Sequence, residues 1–171
     1  ARLLMGKYLV NTGKMQEAEQ QFKQAVQLDT ESPNSMYQLA NFYLFNKKLE
    51  KSEQVRKKII QNYPDEPAHN ISLANFYRNV GKLDLAQTQL DKAIKKSPEN
   101  PRFYAYSARL EFIRGNPDKA EQILKEAIDK AGDDVESYLN LASYYQATRR
   151  YDLAEEELKK AEKKFPDEVG P

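Results

Sequence analysis

The chain has no cysteine and no tryptophan, a single histidine and only six glycines in 171 residues. Without cysteine there is neither a disulfide framework nor a thiolate metal site, and a cysteine-free chain suits the cytoplasm and the bacterial periplasm alike. No apolar run approaches the roughly 20 residues that span a bilayer. Charge of one sign is also missing: 27 basic residues face 26 acidic ones, a net +1. They are interleaved along helical stretches such as KEAIDK and EEELKKAEKK, so no basic block points to nucleic acid. A lone His69 has no second ligand or nucleophile near it, and is expected at the surface or as a helix cap. Glu155, Glu156 and Glu157 are consecutive, point different ways round a helix and cannot form a carboxylate pair. No strand is expected, so no strand–loop–helix phosphate site is either. Asn70-Ile71-Ser72 matches a glycosylation sequon inside a helical stretch and reads as coincidence. No enzyme, metal or cofactor is expected.

What the chain has in quantity is itself. Ala18, Ser52, Ala86, Ala120 and Ala154 fall 34 residues apart, as do Phe22, Arg56, Leu90, Leu124 and Leu158. So do Ala25, Ile59, Ala93, Ala127 and Ala161. In the first half of each unit the small residues are Gly6, Ala40, Ala74, Ala108 and Ala142, preceded by Met5, Leu39, Leu73, Ser107 and Leu141. Three further on stand Leu9, Tyr43, Tyr77, Glu111 and Tyr145. A fixed period of this length is the mark of a solenoid. Small residues three and seven apart share one helical face and let two helices approach closely. One such hairpin cannot bury its apolar face alone, whereas a stack can.

These residues resemble the tetratricopeptide repeat pattern of an aromatic, Leu, Gly/Ala and Tyr in helix A, then Ala, Phe/Leu, Ala and Pro in helix B. The resemblance covers about the whole chain, as repeats at about 1–32, 33–66, 67–100, 101–134 and 135–168, with a stub at 169–171. It implies an all-α, right-handed superhelical solenoid of antiparallel helix pairs in one continuous array. The implied function is a non-enzymatic scaffold that binds a peptide or protein segment along the A helices. Alternatives are a docking or regulatory arm of a larger enzyme and a bacterial envelope or secretion assembly protein, whose regular, lysine-rich units these are similar to.

Within each unit the spacing places helix A1 over 1–10, B1 over 15–29, A2 up to Phe45 and B2 over 49–62. Pro64, Pro67, Pro98 and Pro101 mark boundaries, and Gly132 replaces proline at the last one. Gly13, Gly81 and Gly115 sit in the A-to-B turns, where a left-handed backbone favours glycine. Asn116-Pro117-Asp118 reads as N-cap, first helical residue and an acid at the positive helix end. In repeat two, Arg56 stands at a Leu/Phe position, so its stem is expected to cover apolar surface with its head in water. The alternative is a partner site on that helix. Glu111, where three repeats have Tyr, is expected to contact an Arg or Tyr side chain, with Arg78 and Arg114 the candidates, because an unpaired buried carboxylate is costly.

Helical spacing turns one set of A-helix residues toward the groove: Asn34, Tyr37, Gln38, Asn41, Phe45, Asn75, Arg78, Asn79, Arg102, Tyr106, Arg109, Asn140, Ser143 and Gln146. Amides can bond a peptide backbone, and arginine can grip an acidic side chain or a C-terminal carboxylate. The carboxylate clamp of chaperone adaptors in the family is incomplete here. Asn41 and Asn75 fill the asparagine place, but Tyr37 and Ile71 stand where lysine belongs, and Arg102 is followed four later by Tyr106. The chain opens within a helical pattern and without Met, so it reads as a fragment of a longer one. Its end faces are expected to expose Leu3, Leu4 and Tyr8 at one end and Tyr145, Leu153, Leu158 and Phe165 at the other. Self-association through these ends follows.

Overall fold

The computed structural model describes residues 1–29, 32–131 and 134–168. Among these, ten helices and no strand are present. They are α1 (Arg2–Asn11), α2 (Met15–Leu28), α3 (Asn34–Phe45), α4 (Leu49–Asn62) and α5 (Pro67–Asn79), followed by α6 (Leu83–Lys96), α7 (Pro101–Ile113), α8 (Pro117–Lys130), α9 (Val135–Ala147) and α10 (Tyr151–Lys164). Odd-numbered helices are the A helices and even-numbered ones the B helices. Gly132 and the stub at 169–171 lie outside the described residues. The helices gather into two compact units, Ala1–Leu73 and Ala74–Pro171, with the boundary inside α5.

The first unit is built on Leu9, Ala18, Phe22, Leu39, Phe42 and Tyr43, all buried. Two of its helices come close at Gly6, where a Cβ would lie 3.0 Å from the Phe22 ring. A missing side chain on α1 thus makes room for a large one on α2. Where later repeats carry Leu90 or Leu124 at the Phe22 place, alanine suffices at the Gly6 place. Phe22 in turn meets Phe42 of the next helix pair, ring centroids 5.2 Å apart. The second unit repeats the plan with Ala108, Ala120, Leu124, Leu141, Tyr145 and Ala154.

Each A-to-B turn takes the same left-handed residue. Gly13, Gly81 and Gly115 have φ near 80°, and Lys47 and Arg149 occupy the equivalent places at 57° and 61°. The turn geometry therefore belongs to the repeat, and two repeats adopt it without glycine, at a cost of about 1–2 kcal/mol each. Asn100 and Asp134 cap α7 and α9 through their side chains. Asn116 precedes α8, with Pro117 and Asp118 as expected, but its side chain makes no cap. It donates instead to Glu111 Oε2 at 2.9 Å.

Four further expectations need correction. Arg56 does not hold its head in water: it is 7 % exposed. Its guanidinium donates to Asn41 Oδ1 at 2.6 Å and Ser72 Oγ at 2.7 Å. His69 is neither a surface residue nor a cap. It is buried, with Nδ1 2.8 Å from the Tyr37 hydroxyl and its ring edge-on to Tyr37 and Tyr63. Tyr145 is buried rather than exposed at an end, and Phe165 is half-buried against Tyr138. Both polar misreadings share a cause: the partners, Asn41 and Ser72 for Arg56 and Tyr37 for His69, come from other helices, and sequence spacing does not reveal them.

Candidate functional site

Among the described residues, each unit has a cleft between two successive A helices. In the first, α1 and α3 enclose about 310 Å³ lined by Lys7, Val10, Asn11, Gln38, Asn41, Phe42 and Phe45, with Phe22 as the floor. In the second, α7 and α9 enclose about 470 Å³ lined by Ala105, Ala108, Arg109, Phe112, Asn140, Ser143, Tyr144 and Ala147, with Leu124 beneath. The two are the same place in the repeat. Lys7 corresponds to Arg109, Val10 to Phe112, Gln38 to Asn140, Asn41 to Ser143, Phe42 to Tyr144 and Phe22 to Leu124, each pair three periods apart. The chemistry is therefore kept twice over: a cation on one wall, an amide on the other, an aromatic wall and an apolar floor. Phe45 and Ala147 set the width of the mouth.

Of the residues the sequence assigns to the groove, Gln38, Asn41 and Phe45 line the first cleft. Arg109, Asn140 and Ser143 line the second. Asn34, Asn79, Tyr106 and Gln146 are exposed, and Tyr37, Asn75 and Arg78 are half-buried, outside either lining. The Tyr37 hydroxyl is committed to His69. Arg102 is exposed but tied to Glu136 at 2.8 Å, an ion pair between the second residues of two successive A helices. That contact raises the Arg102 pKa. Lys7, Val10, Asn11, Phe112 and Tyr144 escaped the sequence reading. Lys7 and Asn11 hold the first-repeat counterparts of Asn41 and Phe45, so the periodicity itself could have found them.

Two features fix the polar walls. Asn41 accepts from buried Arg56 through its carboxamide oxygen, which leaves its amide N–H groups to donate elsewhere. Asn140 Nδ2 is buried and has no hydrogen-bond partner among the described residues. Both clefts thus present donors beside a cation. No group of three or more His, Asp or Glu among the described residues could hold a metal ion. Among the same residues, no helix is long and apolar enough to cross a membrane.

Residues 9–75, 78–143 and 111–169 match a tetratricopeptide repeat family model. No curated protein matches in sequence. Similar solved structures include TTC0263, a thermophilic TPR protein of Thermus thermophilus, 23 % identical with a TM-score of 0.59 over 98 % of this chain and 92 % of that one. PilF of Pseudomonas aeruginosa is 15 % identical with a TM-score of 0.60, over 93 % of this chain and 72 % of that one. YrrB, described as a TPR protein with an unusual peptide-binding site, is 16 % identical with a TM-score of 0.52, over 97 % and 86 %. These likenesses are ones of fold. Helix pairs on a fixed period, the small and aromatic residues that hold them together and the family match agree: the chain belongs to the tetratricopeptide repeat family, whose fold serves protein–protein interaction.

Proposed function

We propose that the chain binds extended or helical protein segments on its A helices, at the α1/α3 cleft of the first unit and at the α7/α9 cleft of the second. The observation that carries the reading is the recurrence of one lining, three periods apart, with cation, amide, aromatic wall and apolar floor all retained. Lys7 and Arg109 suit a carboxylate, from an acidic side chain or a C-terminus, and an Arg can hold it with two bonds. The apolar floor suits a neighbouring aliphatic or aromatic side chain of the same segment. Asn140 Nδ2 supports this too, since a buried donor without an acceptor costs about 1–3 kcal/mol and a ligand oxygen would satisfy it. Asn41, its oxygen held by Arg56, offers a donor to a peptide carbonyl. YrrB, a relative in fold, is described by its peptide-binding site, which favours the same class of ligand.

The test is selection of a displayed random-peptide library on the intact chain. Recovered peptides should carry an acidic group or free C-terminus beside an apolar residue. Arg109→Ala should weaken them about tenfold or more, as expected for a lost charge-assisted bond. Peptides that bind Arg109→Ala and Asn41→Ala undiminished would overturn the reading.

A further inference from the structure

The B helices of the second unit depart from the repeat at one place. Every B helix but α6 carries a glutamate with a lysine four residues on: Glu19 and Lys23, Glu53 and Lys57, Glu121 and Lys125, Glu155 and Lys159. Each of these four closes as an ion pair. In α6 the two places hold Gln87 and Asp91 instead. On the next B helix, α8, Glu126 stands where α4, α6 and α10 have Lys58, Lys92 and Lys160. The buried carboxylate of Glu111 on α7 makes up for the charge missing at Gln87. It explains neither Asp91 nor Glu126.

These side chains meet at a cleft of about 380 Å³ between α6 and α8, with Tyr104 and Ser107 of α7 as its floor. Ile94 from α6 and Ile123 from α8 give it apolar walls. It shares no lining residue with the α7/α9 cleft. Gln87 Nε2 donates to Asp91 Oδ1 at 2.7 Å and to Ser107 Oγ at 2.8 Å. An ionised carboxylate only accepts, so the atom beside Asp91 is the nitrogen and the amide cannot be turned round. The carboxamide oxygen, Oε1, is buried and has no hydrogen-bond partner among the described residues. Lys119 is paired with Glu111 at 2.9 Å. The charge left on the lining is that of Asp91 and Glu126, both exposed, against Lys95 alone.

We infer that this cleft takes an arginine side chain from a basic segment of a partner protein. A buried acceptor without a donor, with two carboxylates at the rim, calls for a cation that donates in several directions. A guanidinium carries five N–H groups in a rigid fork and can serve Gln87 Oε1, Asp91 and Glu126 together, whereas an ammonium is a point charge. The methylene stem lies against Ile94, Ile123 and the Tyr104 ring. Lysines at positions 91 and 126, as in the other repeats, would set cations of the chain itself against the incoming one. The site is therefore an addition to the scaffold rather than a part of it. Asp91 and Glu126 repel acidic peptides, so the charge of a peptide tells this cleft from the two between A helices.

Titration of the intact chain with a labelled, end-blocked heptapeptide, one arginine flanked by leucine and alanine, tests it by fluorescence polarisation at low salt. The peptide should bind with a Kd below about 1 mM, its lysine counterpart more weakly and its glutamate counterpart not at all. Asp91→Lys with Glu126→Lys, both at exposed positions, should weaken the arginine peptide about tenfold with helicity unchanged, the scale of two exposed ion pairs turned repulsive. In NMR spectra the side-chain amide of Gln87 should shift on binding, and that of Asn140 should not. Absence of binding would overturn the inference, as would an arginine peptide that binds the double variant undiminished. So would a lysine peptide that binds as tightly, or shifts confined to Asn140, which would place the peptide in the α7/α9 cleft.

Discussion

Two neighbouring joints in the second unit solve one packing problem with opposite placements of charge. Between α8 and α9 the acid is Glu121 on the B helix, and it receives Tyr145 and Arg150 from the A-helix side. Between α6 and α7 the B helix has Gln87 instead, and the acid moves across the joint to Glu111, at the tyrosine place. Asn116 replaces the cation and turns its amide toward Glu111. Lys119 and Arg114 complete the cage at 2.9 and 3.1 Å, and Arg114 also pairs with Asp84. Gln87 meanwhile bonds Ser107 and Asp91. Three positions changed together, and each joint retains one carboxylate with its donors. What the repeat preserves is the charge balance of the joint rather than the identity of any residue in it.

The comparison breaks most visibly on the Glu111 side. This carboxylate is fully buried. Burial pushes its pKa up, but Asn116, Lys119 and Arg114 outweigh that and hold it below the ordinary value. Removing both cations, as Arg114→Met with Lys119→Met, leaves a buried charge with one neutral partner and should cost about 3–5 kcal/mol in urea unfolding. Transplanting the other arrangement, with Gln87→Glu, Glu111→Tyr and Asn116→Arg together, should cost far less than Glu111→Tyr alone. Equal losses would show that the two joints are not interchangeable.

The Glu121 side predicts a pH dependence. Burial raises the Glu121 pKa, yet Lys125, Arg150 and Tyr145 together bring it down to about 2, from an ordinary 4.5. A depressed carboxylate stabilises the fold above its unfolded pKa and loses that contribution as pH falls through the folded value. The contribution, on the order of 3 kcal/mol, is therefore complete above about pH 4.5 and gone near pH 2. Glu121→Gln should unfold more easily than the parent at neutral pH, and the gap should close on acidification through that window. Glu19, also held at about 2, should behave alike in the first unit.

The smallest effect concerns the turns beside the two joints. Gly115 follows α7 with φ 82°, whereas Arg149 follows α9 with φ 61°. Arg149→Gly should raise stability by roughly 0.5–1 kcal/mol, and Gly115→Ala should lower it by about as much. Thermal midpoints that move together in the same direction would contradict a shared turn geometry.

Most of the fold was legible because the period itself is physical. Ala18, Ala86 and Ala120 are small where helices touch, and the helix ends at Phe45 and Asn62 fall where the spacing puts them. The contact from Glu111 to Arg114 was legible as well, since a carboxylate at an aromatic place demands a donor. Lys119 and Asn116 were not, because they reach Glu111 from the following turn and helix. Arg56 and His69 were misplaced for the same reason. Their partners Asn41, Ser72 and Tyr37 sit on other helices, at separations no local pattern encodes. The clefts were half legible. Residue spacing named Asn41, Arg109 and Asn140, but which of the proposed groove residues share a cavity depends on side-chain volumes across two helices, Phe45 in one case and Ala147 in the other.

Hydrogen exchange of the intact chain, with and without an acidic peptide selected from the random library, puts the account of the two A-helix clefts to its most direct test. Protection is expected on α1 and α3, on α7 and α9, or on both pairs, with the exposed faces of α4, α6 and α8 unchanged. Protection confined to those B-helix faces would contradict the account.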